Sequence, residues 1–417
     1  DYEMAAIVHQ HLKAKDVEFY LKDALESCES DGNYVLVSLA SGRILKTDMI
    51  ILSIGVKPDT KLATDAGLAV GVTGGILTDR YMRTNDPDIY AVGDAVEVTD
   101  FINGSPALFP LAGPANRQGR ITANNICGGN EEYSGTLGTS IVKVFDITVA
   151  ITGNNERTLK KNGIAYEKSF THSPNHAGYY PGANPMSIKL IFAKEGGKVL
   201  GAQIVGYEGV DKRIDVIATA IRAGMIVADL EKLELAYAPP YSSAKDPVNI
   251  AGYVASNILK NDVEIFHWDQ VSELTDNTNK VDKADNADND NNGNNGNNGN
   301  DGNDTNGKIL RLTEIKGLLV DVRTSMEFSL GSIPGAVNIP VDELRDRAGN
   351  ELNPERNIYI FCQVGLRGYV AARILKQTGY KNVKNLSGGY KTWQMATRKQ
   401  ANEDIYEYDK INKDKQR

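Results

Sequence analysis

A chain of 417 residues exceeds one ordinary core, and at roughly 150 residues per domain it should fold as two or three domains. With 41% hydrophobic and 24% charged residues it has an ordinary globular make-up, and a net charge of -8 leaves no basic stripe for nucleic acid. Cys28, Cys127 and Cys362 are too few and too widely spaced for a disulfide framework, which points to a reducing, cytoplasmic setting, and the longest apolar run, Met49 to Val56, is far too short to cross a bilayer.

Glu3 to Ala14 carries apolar residues at helical spacing. Val17 to Tyr20, Tyr34 to Leu39 and Met49 to Ile54 read as strands, with Asp31-Gly32 and Ser41-Gly42 as turns. Another strand, Ile89 to Val92, ends at Gly93-Asp94, and a helix over about Ala115 to Ile126 follows Gly113-Pro114. A carboxylate at the carboxyl end of a sheet strand can accept a hydrogen bond from a ribitol hydroxyl, although the pattern alone also allows a plain turn. From Thr139 the character changes. Ser140 to Val149, Ser187 to Ala193 and Val199 to Val205 are β-rich, while "DVIATAIRAG" and "VNIAGYVASNILK" are helical, so 139–262 reads as a separate α+β domain. His172 and His176 lack cysteine partners at metal spacing and read as loop residues, with no metal expected.

From about Asp269 to Gly307 apolar residues nearly vanish. The run "NADNDNNGNNGNNGNDGNDTNG" cannot bury enough surface to offset ordering entropy, so 269–307 is expected to be a disordered tether. About 38 residues at roughly 5–6 Å × √n would reach about 30–37 Å. Beyond it, Leu318 to Arg323 and Asn357 to Phe361 read as buried strands, with "GSIPGAVNIP" leading to another strand. Tyr369 to Gln377 reads as a helix stopped near Gly379. Strands alternating with helices imply a small parallel-sheet α/β domain over 309–396, followed by a charged tail, 397–417.

Cys362 sits between a strand and a helix, with Gly365 and Gly368 close behind. That arrangement aims several backbone N–H groups at one spot by a helix N-terminus, which favours an anion, and Arg367 adds positive charge. A thiolate there is a competent nucleophile; the plainer alternative is a buried structural cysteine.

"LLVDVRTSMEFSLGSIPGAVNIP", "IYIFCQVGLRGYVAARIL" and "NLSGGYKTW" resemble a single-domain rhodanese over 309–396. The resemblance implies sulfane sulfur carried as a persulfide on Cys362. The amides of Gln363, Val364, Gly365, Leu366 and Arg367 would cradle it, with Arg367 stabilising its charge and Asp321 and Arg323 forming a structural pair. Cell-cycle dual-specificity phosphatases share a Cys-loop-Arg site, but with five residues between Cys and Arg. The four here suit a single sulfur better. Gly368 stands where many rhodaneses carry serine.

"DMIILSIGVKPDTKLATDAGL", "GGILTDRYMRTNDPDIYAVGDA" and "LFPLAGPANRQGRITANNI" resemble the flavoprotein disulfide reductase superfamily. By that resemblance Gly93 and Asp94 would hold the FAD ribitol, the helix beginning near Ala112 would point at the flavin pyrimidine, and Gly55 would face the nicotinamide of NAD(P)H. "GTLGTSIVKVFDITVAITGNNE" through "AYAPPYSSAKDPVNIAGYVASNILK" resembles that superfamily's dimerisation domain, and so implies a homodimer. The nearest subgroup is coenzyme A disulfide reductases with related NADH oxidases and polysulfide reductases, for which coenzyme A is a substrate or cofactor. Two tyrosines there reach the partner's active site; Tyr179 and Tyr237 are the candidates, with Tyr180 easily confused with the first and plain interface packing the alternative.

Cys28 lies beside Glu26, Glu29 and Asp31, and Cys127 has no positive neighbour closer than Arg120, so neither favours a thiolate. No G-x-G-x-x-G occurs. The expected fold is therefore a partial FAD/NAD(P)-binding doubly wound region over 1–138, an α+β dimerisation domain, a linker and a rhodanese, as part of a longer protein. The expected function is an FAD-dependent pyridine nucleotide-disulfide oxidoreductase acting on small thiols, persulfides or disulfides, fused to a rhodanese. The alternative is sulfur transfer alone, with the N-terminal part as a dimerisation scaffold.

Overall fold

The computed structural model describes residues 1–30, 32–275 and 317–398. Asp31 of the expected turn, most of the 269–307 segment and the tail beyond Arg398 lie outside the described residues. The chain forms two compact bodies, one built on residues 8–140, the other joining 1–7 to 141–397.

In the first body β1 (Leu25–Ser30), β2 (Val35–Leu39) and β3 (Ile44–Thr47) form an antiparallel meander in that order. Three expected strands, Val17 to Tyr20, Met49 to Ile54 and Ile89 to Val92, make no ladder among the described residues; Tyr90 has only an isolated bridge to Arg83. An all-apolar run becomes a strand when neighbours cover both its faces, and here Ile51 and Ile54 are 81% and 91% exposed. A short hairpin, β4 (Val98–Thr99) and β5 (Pro106–Ala107), precedes the Ala112–Ile126 helix. That helix starts at Ala112 rather than Ala115, since Pro114 in its first turn forfeits no intrahelical bond. Met82, Val96, Val98, Ile121 and Tyr133 form the core of this body.

The second body begins with a five-stranded sheet of β6 (Ser140–Val144), β7 (Ile147–Gly153), β8 (Tyr166–Pro174), β9 (Pro185–Ala193) and β10 (Val199–Gly206), in the order β6-β7-β10-β9-β8. The inner strands β9 and β10 are almost wholly buried, and the helices Val210–Arg222 and Pro247–Leu259 pack on the sheet. Both helices fall where the apolar periodicity places them. His172, expected in a loop, lies instead in β8.

A second, parallel sheet has the order β11-β15-β14-β12-β13: β11 (Glu264–Phe266), β12 (Leu318–Asp321), β13 (Val337–Asn338), β14 (Ile358–Phe361) and β15 (Val383–Leu386). Alternation splits its side chains between two apolar clusters, Ile358 and Ile360 on one face and Phe361 on the other. β11 precedes the asparagine-rich segment, yet it is the edge strand of the rhodanese-type sheet. The helix Val271–Thr275, inside the expected tether, likewise packs into the Phe266–Phe361–Leu386 cluster through Val271. Residues on both sides of the undescribed segment therefore contribute to this sheet and its apolar cluster. Phe266→Ala should accordingly lower stability by about 3 kcal/mol in a denaturant titration. An unshifted midpoint would return β11 to the status of a connector.

Strand β8 also holds the parallel-sheet domain directly. Phe170 N donates to Ser387 Oγ at 3.3 Å, and His172 bridges Ser187 Oγ at 2.8 Å and Thr392 Oγ1 at 2.7 Å. Burial, helped by the nearby Lys391 charge, pushes the His172 imidazole down to about 3, so it stays neutral in this seam. A side chain at Gly388 would place Cβ 2.6 Å from Phe170 Cβ, which with its φ of +72° requires glycine there.

Candidate functional site

Strand β14 ends at Phe361, and the buried Cys362 follows it, 1% exposed. Gly365 takes φ +105° and turns the chain into the Leu366–Gln377 helix, so that its N–H donates to Cys362 Sγ at 3.1 Å. The loop is fixed from behind: Tyr390 N donates to Cys362 O at 2.7 Å and Lys391 N to Gln363 O at 3.0 Å. A Cβ on Gly389 would lie 2.4 Å from Cys362 O. Gln363, Val364 and Gly365 are half-buried and Leu366 exposed, so the loop opens to solvent on the Leu366 side.

Arg323 supports the same loop. Its guanidinium pairs with the fully buried Asp321, with contacts of 2.7 and 3.0 Å, and donates to Gly331 O and to Gln363 Oε1 at 3.2 Å. It also lies over the Tyr390 ring, 4.2 Å from the centroid. Ser332 Oγ donates to the same Asp321 carboxylate.

Arg367 is not left free for a sulfur anion. Both its terminal nitrogens donate to Glu327, each at 2.7 Å, across to the Ser325–Ser329 helix. The Arg367 hydrogen bonds hold the Glu327 carboxyl down to about 2, with Thr324 assisting against partial burial. The same pairing raises Arg367, with a further contribution from Cys362. Glu327 was missed in the sequence, where it is one acid among many. Asn385 was missed too. Its Nδ2 donates to Gly365 O at 3.1 Å, and its Oδ1 sits 2.1 Å from where a Gly368 Cβ would be. Asn385 therefore fills the space in which a serine would place its side chain.

The second cluster lies on loops of the antiparallel-sheet domain. Tyr179 and Tyr237, 78% and 47% exposed, meet hydroxyl to hydroxyl at 3.1 Å. That contact raises the Tyr237 phenol above its ordinary value. Tyr180 turns its ring edge to His176 instead, which separates it from the pair. The two loops bond directly, Ala177 N to Ser242 O at 3.0 Å. Beneath them the buried Arg213 donates to Asp246 Oδ2 at 2.9 Å, Asn175 O at 2.9 Å, Ser242 Oγ at 3.2 Å and Tyr241 O at 3.3 Å.

In the first body Gly93 has φ +88° and donates its N–H to Gln118 Oε1 at 2.7 Å, which fastens the Gly93–Asp94 corner to the Ala112–Ile126 helix. Asp94 is exposed, and the helix start has no side-chain cap. Gly55, φ +96°, lies in the exposed Met49–Val56 run. Cys28 is exposed on β1 and Cys127 exposed at the end of the Ala112–Ile126 helix. Among the described residues, Asp1, Glu3 and Glu156 have metal-ligand spacing, but the Lys189 ammonium sits between them and pairs with all three. No described helix is long and apolar enough to cross a membrane.

Residues 1–119 match the family "Pyridine nucleotide-disulphide oxidoreductase", residues 139–247 its dimerisation domain, and residues 306–396 the rhodanese-like domain. The chain is 48% identical to the reduced CoADR-RHD of Bacillus anthracis, with a TM-score of 0.82 over 95% of this chain and 64% of that one. It is 37% identical to the NAD-dependent persulfide reductase of A. fulgidus, with a TM-score of 0.77 over 94% of this chain and 64% of that one. A coenzyme A disulfide reductase of Staphylococcus epidermidis is 37% identical over 220 residues, 52% of this chain and 50% of that protein. The chain thus spans half of that relative and under two thirds of the two solved chains.

Proposed function

We propose that this chain, which belongs to the pyridine nucleotide-disulphide oxidoreductase family and ends in a rhodanese-like domain, serves an NAD(P)H-dependent flavoenzyme that reduces persulfides or small disulfides and carries sulfane sulfur on Cys362. The observation that carries this reading is the Gly365 N–H aimed at the buried Cys362 sulfur at a helix start. A donor that favours an anionic sulfur there stabilises both the attacking thiolate and the bound persulfide.

Tyr179 and Tyr237 are the residues we assign to the redox substrate. One hydroxyl of the pair can donate to a sulfur anion while accepting from the other, and the dimerisation fold supports their presentation to a partner subunit in a homodimer. The residues around Asp94 fit FAD. The exposed Asp94 carboxylate, on a corner that Gly93 ties to Gln118 of the Ala112–Ile126 helix, offers an acceptor for a ribitol hydroxyl, and the uncapped start of that helix at Ala112 offers donors for a pyrimidine oxygen. When bound, the flavin supplies the two-electron relay between NAD(P)H and sulfur. Gly55 is assigned to the nicotinamide side, and coenzyme A, as thiol or disulfide, is the favoured carrier of the substrate sulfur because relatives bear its name.

Protein purified from its native host should show a flavin absorbance band and oxidise NAD(P)H when an organic persulfide or coenzyme A disulfide is added. A colourless preparation that still takes up sulfur would reduce the function to sulfur transfer.

A further inference from the structure

We propose that Glu327 sets the donor class of the Cys362 site, so that it takes sulfur from organic persulfides with an apolar flank and turns away dianionic thiosulfate. The inference rests on the reading of Cys362 as a persulfide carrier and goes beyond it to the donor.

Charge balance is the first argument. Two guanidinium groups border the loop, and each is held by a carboxylate: Arg323 by Asp321 and Arg367 by Glu327. Their formal charges cancel. Besides the Lys391 ammonium, whose charge acts on His172, what remains among the described residues to attract an anion is the Gly365 N–H and the helix start, enough for the single charge of a thiolate or persulfide. Thiosulfate brings two charges, and it would have to displace Glu327 from Arg367 or lie against its carboxylate.

The surface is the second argument. Among the described rhodanese residues the exposed large apolar side chains are Met326, Leu330, Val337, Leu366 and Val370. Met326 and Leu330 stand one turn apart, at the Ser325–Ser329 helix and its end; Leu366 and Val370 stand one turn apart on the helix that follows the Cys362 loop. The Glu327–Arg367 pair ties these two helices together, and each helix exposes apolar side chains within one turn of its member of the pair. An apolar rim around a charge-balanced mouth complements an alkyl-flanked persulfide and offers a dianion nothing.

The transfer balances without an oxidant. The Cys362 thiolate attacks the terminal sulfur of R–S–SH, and a bond forms between Cys362 Sγ and that sulfur. The bond between that sulfur and the R-bearing sulfur breaks, its electron pair leaves with RS⁻, and the proton stays on the transferred sulfur.

The test is to measure sulfur loading of Cys362 by intact mass, with thiosulfate and with alkyl persulfides of increasing chain length. Wild-type protein should prefer the persulfides, with kcat/KM rising as the alkyl chain lengthens. Glu327→Gln should free Arg367 and raise kcat/KM for thiosulfate by roughly tenfold or more, a gain that shrinks with added salt and exceeds any change for the alkyl persulfides, so that the donor ratio shifts toward thiosulfate. An equal loss on both donors would reduce Glu327 to a structural role, and a wild-type preference for thiosulfate would overturn the inference outright. Should Glu327→Gln not fold, the wild-type donor ratio and chain-length series decide alone. Failure to load from any donor would instead overturn the Cys362 reading itself.

Discussion

Cys362→Ser should leave a folded protein that takes up no sulfane sulfur from any donor. The loop does not depend on the thiol for its shape: Tyr390 N and Lys391 N hold the carbonyls of Cys362 and Gln363, and Arg323 holds the Gln363 side chain. Serine is slightly smaller and can accept the Gly365 N–H, but it buries a hydroxyl in the apolar cluster around Cys362, so the stability cost should be about 1–3 kcal/mol. Activity depends on a different property. A hydroxyl is not ionised at neutral pH and is a far weaker nucleophile toward a sulfur–sulfur bond than a thiolate, so loading should fall to background. The check is the mass of the protein after incubation with an alkyl persulfide, together with its unfolding midpoint. A serine variant that still gains a sulfur atom would move the carrier role to exposed Cys28 or Cys127.

The shape of the Cys362 loop was legible because its determinants are local. Cys362, Gly365 and Arg367 fall within six residues at the junction of a strand and a helix, and four residues between Cys and Arg measure the loop. What decides the state of Arg367 is not local. Glu327 lies 40 residues upstream and looks like an ordinary first-turn acid of a short helix until the fold brings it opposite the guanidinium. Asn385 is equally invisible, since only the packing of β15 behind the loop shows that it fills the space at Gly368. The edge strand β11 has three residues and no periodicity to read, so its pairing with β15 is visible only in the fold. The opposite error occurred at Met49 to Ile54. Composition there asks for a buried strand, but strand formation depends on neighbours, and none pairs with it among the described residues. For the tyrosines, sequence offered two adjacent candidates, and it is Tyr179 whose hydroxyl meets that of Tyr237.

Asp246→Ala should be among the most destabilising single substitutions in the antiparallel-sheet domain, costing roughly 3–5 kcal/mol. Arg213 and Asp246 are each 2% exposed, so removing the carboxylate strands a guanidinium away from water with only carbonyl and hydroxyl partners. The same carboxylate caps the Pro247–Leu259 helix through Val248 N at 3.0 Å, a further loss of about 1 kcal/mol. Burial opposes the Asp246 charge, but the bonds from Arg213, Ser242 and Val248 outweigh it and hold the carboxyl below its ordinary value. A carboxyl depressed in the folded state contributes stability that is fully present above the ordinary aspartate range and is lost as pH falls through the folded value. The wild-type protein should therefore lose stability on acidification in that window, and the variant should lose less of it there. Function should follow geometry. Arg213 holds Asn175 O and Tyr241 O, one on each tyrosine-bearing loop, so its misplacement should part the Tyr179 and Tyr237 hydroxyls and lower persulfide reduction, while sulfur loading on Cys362 is spared wherever the protein remains folded. Asp246→Asn keeps a cap and an acceptor without the charge, and should fall between wild type and alanine in both measurements. An alanine variant whose denaturant midpoint moved no more than that of an exposed substitution would mean that water reaches Arg213, and the pair would then be no more than a surface bridge.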